Sequence, residues 1–271
     1  MAKPMKFGLG QPVKRVEDIR FITGQGNYTS DYRPEGTLHV TFLRSPHAHA
    51  RFSFADLESA RAMPGVKAVY VVEDFDQLGD LPCLSLPESY DSKTPLTPYP
   101  VLARGVARHV GDMVAMVVAE SEREARDAVE AIAVEWDALP AVVDMREAIK
   151  RGAPQVFPEA PGNVVFDGHI GDKAKTDAIF AKAAQVASIS VVNQRLVANY
   201  MEPRSAIGEY DAASGRYTLH ASSQGVHGLR NNIAEKILKV PQEKLRVVTN
   251  DVGGGFGTKA VIYREYPLVL E

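Results

Sequence analysis

Cysteine is almost missing from this chain: Cys83 is the only one in 271 residues. A lone thiol excludes an internal disulfide and a cysteine-rich zinc site. It also excludes a self-contained iron–sulfur cluster, which needs about four thiolates. A reduced, cytoplasmic setting is therefore expected. Charge of one sign is lacking as well: 31 basic residues face 34 acidic ones, a formal net charge of −3. With no basic block to offer, the chain reads as neither a nucleic-acid binder nor a polybasic membrane ligand. No apolar run approaches the roughly 20 residues needed to cross a bilayer. The opening, Met1 to Gly8, has charge but no apolar stretch behind it and does not read as a secretory signal. No internal repeat is visible.

What is present is enough for a large core, since 45% of residues are apolar. Leu38 to Leu43 alternates as a strand with one buried face. A short helix is predicted from Asp56 to Ala62, then a strand from Val66 to Val72. Gly79 to Pro100 is proline-rich and reads as a long excursion. Met113 to Ala119 is apolar enough for a buried strand. Ser121-Glu122-Arg123-Glu124 reads as a capping box opening a helix whose Ala125, Ala128, Val129 and Ile132 share a face. Val134 to Trp136 alternates as a strand. After a loop at Gly152 to Gly162, a helix is predicted over Asp177 to Ala184 and a long β-branched strand over Val186 to Val197. Tyr217 to Ala221 and Leu245 to Thr249 are further strands, with a helical face at Leu229, Ile233 and Ile237 between them. This pattern is α+β, with domains expected at 1–150 and 163–271 and a linker at 151–162.

The strongest local feature is Gly253-Gly254-Gly255-Phe256-Gly257-Thr258-Lys259. Glycines at an expected strand-to-helix junction allow close backbone approach to a ligand, and successive N–H groups there form an anion nest aided by the helix N-terminus. The spacing is not that of a P-loop, because Thr258 separates Gly257 from Lys259, nor that of the dinucleotide fingerprint. The alternative is a tight turn that needs positive φ. The junction Ser222-Ser223-Gln224-Gly225 is similar: a serine as N-cap, or Gln224 projecting off a strand end beside the glycine loop. His47 and His49 offer two imidazoles to a metal, or packing and loop-anchoring. Cys83 has no neighbouring base to make it a nucleophile. Glu202 and Asp251 read as capping or ion-pairing carboxylates, or as acid–base groups.

Several segments, taken in order along nearly the whole chain, resemble one family. They are Gly10 to Asp18, Thr23 to Tyr28, Arg44 to Ala50, Val110 to Ala115 and Glu135 to Asp144. Asn193 to Leu196, Met201 to Arg204, Ser223-Gln224 and Gly253 to Gly257 continue the match. The chain is similar to the large subunits of the xanthine oxidase and aldehyde oxidase family of molybdenum hydroxylases, the carbon monoxide dehydrogenase type in particular. The resemblance implies an a/b hammerhead domain followed by the truncated first part of a molybdopterin-binding α+β domain. It implies a molybdenum centre on molybdopterin, in the cytosine dinucleotide or the plain form. Gln224 would approach a molybdenum oxygen, and Gly255, Phe256 and Gly257 would contact the cofactor through backbone N–H groups. Purine-oxidising members carry a glutamate just after the loop lysine, where this chain has Ala260. An aldehyde, an N-heterocycle or a carbon monoxide-like small molecule is the implied substrate class, oxidised with oxygen from water.

The family's catalytic base, a glutamate, lies far downstream of the matched residues, so no catalytic residue and no metal ligand is assigned to this chain. The implied partners are the remainder of the large subunit, an iron–sulfur subunit carrying 2Fe-2S clusters and an FAD subunit, in a dimer of heterotrimers. Val261 to Glu271 lacks a terminating signal and reads as a cut in a longer chain or a split gene. Val261, Leu268 and Leu270 are then expected to leave an apolar patch, and the fragment alone to be inactive. Two other readings remain open: a non-catalytic assembly or binding module, and a nucleotide-binding protein using the glycine loop.

Overall fold

The computed structural model describes residues 14–82, 97–165 and 170–271. Gly10 to Val13, Cys83 and most of the proline-rich excursion lie outside them. Helix α1 spans Asp18–Ile22. Strands β1 (His39–Arg44) and β2 (Ala50–Asp56) lead to helix α2 (Glu58–Arg61) and strand β3 (Val66–Tyr70). Strands β4 (Val106–Ala107) and β5 (Met113–Ala119) precede helix α3 (Glu122–Ala131) and strand β6 (Ala133–Ala138). Helices α4 (Met145–Ala148) and α5 (Lys173–Lys182) follow. Strands β7 (Ala206–Asp211) and β8 (Arg216–Ala221), helix α6 (Val226–Asn232), strand β9 (Leu245–Val248) and helix α7 (Glu265–Leu268) complete the order.

Strand β5 explains how the first half holds together. It is the centre of an antiparallel sheet, β1–β5–β3. Alternate residues point to opposite faces: Ala115, Val117 and Ala119 pack against Ala125 and Ala128 of α3, while Met116 and Val118 face a second cluster, which Met113 also joins beyond the register shift at the start of the strand. Burial on both faces accounts for the unbroken apolar run. Strand β2, between β4 and β6 in its own sheet, has only one covered face and alternates accordingly. At the start of α3, the Ser121 hydroxyl accepts the Glu124 N–H and donates to the Glu124 carboxylate. The expected box is therefore half formed, because Glu124 takes the hydroxyl and not the backbone amide.

The second cluster joins the two halves. Val72, Phe75, Leu102 and Met116 from the first half meet Leu219, Ile233, Ile237, Leu268 and Leu270 from the second. In the third sheet, β8 pairs antiparallel with β7 and parallel with β9. A parallel pair needs a crossover, and α6, extended by a π-helical turn over Ile233–Leu238, supplies it.

Three expectations are corrected here. Val186 to Val197 forms no strand: residues 185–200 have no regular secondary structure and pair with no strand, with Ile189 and Leu196 each 86% exposed. β-branched composition favours a pleated, half-buried surface but needs a partner edge to realise it, and the described residues offer none. The terminal segment, conversely, leaves little apolar surface: Leu268 and Leu270 are buried, and only Val261 stays half-exposed. It docks on β7, where a β-carbon on Gly208 would stand 1.8 Å from the Val269 carbonyl oxygen. Finally, turns and not a helix follow the glycine loop, with α7 starting only at Glu265. Strand β7 itself, short and interrupted by Gly208, gave no strong alternating signal.

Candidate functional site

Because β8 and β9 run parallel, in register from Tyr217↔Leu245 to His220↔Val248, both chains leave the sheet at the same edge. That edge brings together Gln224, three residues past β8, and the glycine loop that follows β9. The contact is close and reciprocal. The Gln224 backbone N–H donates to the Lys259 carbonyl at 3.0 Å. The Gln224 side-chain oxygen accepts the N–H of Gly257 at 2.9 Å and that of Lys259 at 3.2 Å. With its oxygen fixed by two backbone donors, the amide of Gln224 is oriented and its NH₂ is left as a donor. Gln224 is exposed, so that donor faces outward.

The loop needs its glycines. Gly254 and Gly257 lie at φ +95° and +93°, conformations glycine adopts without a steric penalty. Gly255 has ordinary φ, but a β-carbon there would stand 2.6 Å from the Gln224 oxygen. Phe256 takes φ +48°, rare for a residue with a side chain, and its ring is 76% exposed. Among the described residues, no acceptor takes the N–H of Gly255 or Phe256. The loop is a tight turn in which Gly255 is buried and Phe256 exposed, and neither N–H has an acceptor among the described residues.

Beneath it lies a buried ion pair. Lys259 is 1% exposed; its Nζ is 2.7 Å from Glu202 Oε2 and 3.0 Å from the Glu202 carbonyl oxygen. The same Oε2 accepts the Gly253 N–H at 2.7 Å and the Ser222 hydroxyl at 2.8 Å. Burial alone would raise the Glu202 carboxyl, but Lys259, Gly253 and Ser222 outweigh it and hold it below the ordinary carboxylate range. Asp251, just before the loop, pairs through both oxygens with the Arg20 guanidinium and accepts the Asn27 N–H. Arg20 first, then that N–H, hold its carboxyl low. Both carboxylates are ion-pairing groups.

The serines do not cap α6. Ser222 is committed to Glu202, and Ser223 accepts the Gly225 N–H within the preceding turn. His47 and His49 sit in the bend between β1 and β2, away from the loop. His47 packs on Trp136 with ring centroids 5.4 Å apart, and His49 Nδ1 lies 3.0 Å from the Pro140 carbonyl oxygen. Their roles are packing and anchoring. The feature sequence reasoning missed is the burial of Lys259. Nothing local marks a lysine after a glycine loop as pointing inward, and its partner is 57 residues away.

The groups at this edge suit an anionic, oxygen-rich ligand: an aimed amide, an exposed aromatic ring and the Phe256 N–H, which has no acceptor among the described residues. Lys259 adds no net charge, being neutralised by Glu202. Glycine at 255 lets the Gln224 amide pack against the loop backbone. Among the described residues, no three His, Cys, Asp or Glu side chains gather as a metal-binding group.

Residues 23–140 match the family described as aldehyde oxidase and xanthine dehydrogenase, a/b hammerhead domain. Residues 156–270 match the molybdopterin cofactor-binding domain. The carbon monoxide dehydrogenase large chain of Hydrogenophaga pseudoflava is 35% identical, over 92% of this chain and 32% of its own length. The nicotine 6-hydroxylase large subunit of Paenarthrobacter nicotinovorans is 34% identical, over 96% of this chain and 31% of its own. Quinoline 2-oxidoreductase from Pseudomonas putida 86 superposes with a TM-score of 0.82 at 36% identity, over 95% of this chain and 32% of that one. Reconstituted carbon monoxide dehydrogenase from Oligotropha carboxidovorans gives 0.82 at 34% identity, over 96% and 33%. The chain thus spans about a third of the length of the relatives it matches.

Proposed function

The chain belongs to the aldehyde oxidase and xanthine dehydrogenase family, with its a/b hammerhead domain followed by part of its molybdopterin cofactor-binding domain, and we propose that it forms one wall of a molybdenum site in a hydroxylase large subunit. The observation that carries this reading is the pairing of Gln224 with the Gly257 and Lys259 N–H groups. It leaves an oriented amide donor beside Gly255, Phe256 and Gly257, an arrangement that would suit an anionic pterin group.

When bound, the molybdenum group supplies the oxidation itself, with oxygen drawn from water. The residues of this chain bind and orient. The Gln224 amide would donate to the bound group and the N–H groups of Gly255 and Phe256 would hold its pterin edge, whereas the Gly257 N–H, expected to join them, is taken up by Gln224. The Phe256 ring bounds the space open to substrate. The cofactor is proposed to be the cytosine dinucleotide form. Ala260, small and exposed where purine-oxidising members carry a glutamate, favours an aldehyde, an N-heterocycle or a carbon monoxide-like substrate.

The catalytic base is proposed to come from the rest of the large subunit, in keeping with the third of the relatives' length spanned here. The exposed apolar stretch from Val186 to Met201 supports that reading, since such a surface marks a contact with further polypeptide. Residues 1–150 would be the hammerhead domain, 151–162 the linker and 163–271 the cofactor-domain part. With no cysteine cluster in the sequence, electrons would leave through 2Fe-2S clusters on an iron–sulfur subunit and then an FAD subunit, in a dimer of heterotrimers. Elemental and pterin analysis of the natively purified assembly tests the reading. Molybdenum and a pterin in equal amounts are expected; an assembly with neither would overturn it.

A further inference from the structure

We propose that Glu202 and Lys259 are a positioning pair that sets the aim of Gln224 toward the cofactor, through the two ends of the glycine loop. The inference rests on the reading of Gln224 given above. One carboxylate oxygen, Glu202 Oε2, holds three donors from three separate places in the chain. The Ser222 hydroxyl comes from the end of β8, the Gly253 N–H opens the loop, and the Lys259 ammonium closes it. A second bond, from the Glu202 N–H to the Gly253 carbonyl at 3.3 Å, fixes the loop start again.

Lys259 then transmits this constraint. Its side chain is tied to Glu202, and its backbone is bonded both ways to Gln224, accepting from the Gln224 N–H and donating to the Gln224 oxygen. Moving the ammonium moves the peptide group that orients the amide. The Lys259 Nζ also lies 4.5 Å from the Tyr200 ring centroid, which closes its remaining side.

Stability gives a weaker reason for such a pair. Removing two charges from water costs about as much as their attraction returns, and an apolar pair of similar volume is often as stable. Here the cost is not fully met, because Glu202 Oε1 is buried without a partner among the described residues. What an apolar pair cannot do is gather three directional donors on one atom.

The test uses the complete assembled enzyme carrying Glu202→Gln with Lys259→Met, which removes both charges and leaves no lone buried ion. Its melting temperature, molybdenum and pterin content, kcat, KM and Mo(V) electron paramagnetic resonance spectrum are compared with those of the parent. The expected result is a folded, loaded enzyme whose kcat falls roughly 100-fold, as for small misplacements of reacting groups, with KM little changed and an altered Mo(V) signal. A folded variant that fails to retain the pterin also supports the proposal. Parental kcat together with a parental Mo(V) spectrum would overturn it. Should the neutral pair not fold, Glu202→Asp keeps both charges but retracts the carboxylate by one methylene. The same shifts are then expected, and their absence is equally fatal. Failure of the cofactor reading itself would show separately, as a parent enzyme without molybdenum.

Discussion

Gln224 and Gly255 fit together only because one of them has no side chain: a β-carbon on Gly255 would stand 2.6 Å from the Gln224 side-chain oxygen. The obstructing atoms all belong to the far half of a flexible, exposed side chain, so Gly255→Ala should displace Gln224 without unfolding anything. In the complete enzyme the melting temperature is expected to hold. The kcat should drop by about 100-fold or more, the loss typical for an aimed donor at a developing charge. A parallel Gln224→Ala variant should show the same loss, and the double variant little more, since both remove one interaction. Additive losses would mean that Gly255 acts by some other route.

Gly208 presents the opposite case. Its would-be β-carbon meets backbone, standing 1.8 Å from the Val269 carbonyl oxygen and 2.4 Å from its carbon. Neither β7 nor the terminal segment can yield by rotating a side chain. Gly208→Ala should therefore push Val269 and the buried Leu268 and Leu270 off the sheet, costing at least the ~1–3 kcal/mol of core overpacking. Because those leucines share a cluster with Phe75 and Met116, thermal unfolding followed by calorimetry should shift as one transition. Separate transitions for the two halves would contradict the shared core.

Tyr266 should make the molecule sensitive to alkali. Its hydroxyl is buried without a hydrogen-bond partner among the described residues. Burial pushes its pKa up to about 12, against an opposing effect from Arg204. A raised value means the folded state prefers the neutral phenol. That contribution is fully present below the unfolded value near ~10 and is lost as pH rises toward 12. Tyr266→Phe should be neutral or stabilising at pH 7, because it removes a buried polar atom that is not satisfied. It should also flatten the fall in melting temperature between pH 10 and 12. A Phe variant that loses stability at pH 7 would show that the hydroxyl has an unrecognised partner.

Much of the fold is legible in the sequence wherever a local pattern coincides with burial. Met113 to Ala119 reads as a buried strand because both its faces are covered, and Ala125, Ala128 and Ile132 read as a helix face because they pack on it. The edge holding Gln224 and the glycine loop is legible as two loops after two strands. That these loops meet depends on β8 and β9 being parallel neighbours, which no local pattern encodes. The Glu202–Lys259 bond is invisible for the same reason: it closes across 57 residues. The failure at Val186 to Val197 is different in kind. Its composition is that of a strand, and a strand is a property of two chains, not one.

That segment supplies the last prediction. Val186, Ile189, Val191, Val192, Leu196 and Val197 are all more than half exposed, on a backbone with no ladder partner among the described residues. An exposed, β-branched apolar segment with unpaired backbone is both a potential binding edge and a liability for self-association. If the rest of the large subunit completes it, hydrogen exchange followed by mass spectrometry should tell the two states apart. In the 271-residue chain alone, amides 186–197 should exchange as fast as an open loop, while those of β5 and β8 stay protected. In the complete assembly the same amides should gain protection comparable to β8. Glu or Lys placed at Ile189 and Val191 should leave the isolated chain's melting temperature unchanged, since neither residue is buried there, yet weaken assembly. Slow exchange at 186–197 in the isolated chain would mean the segment already has its partner within these residues.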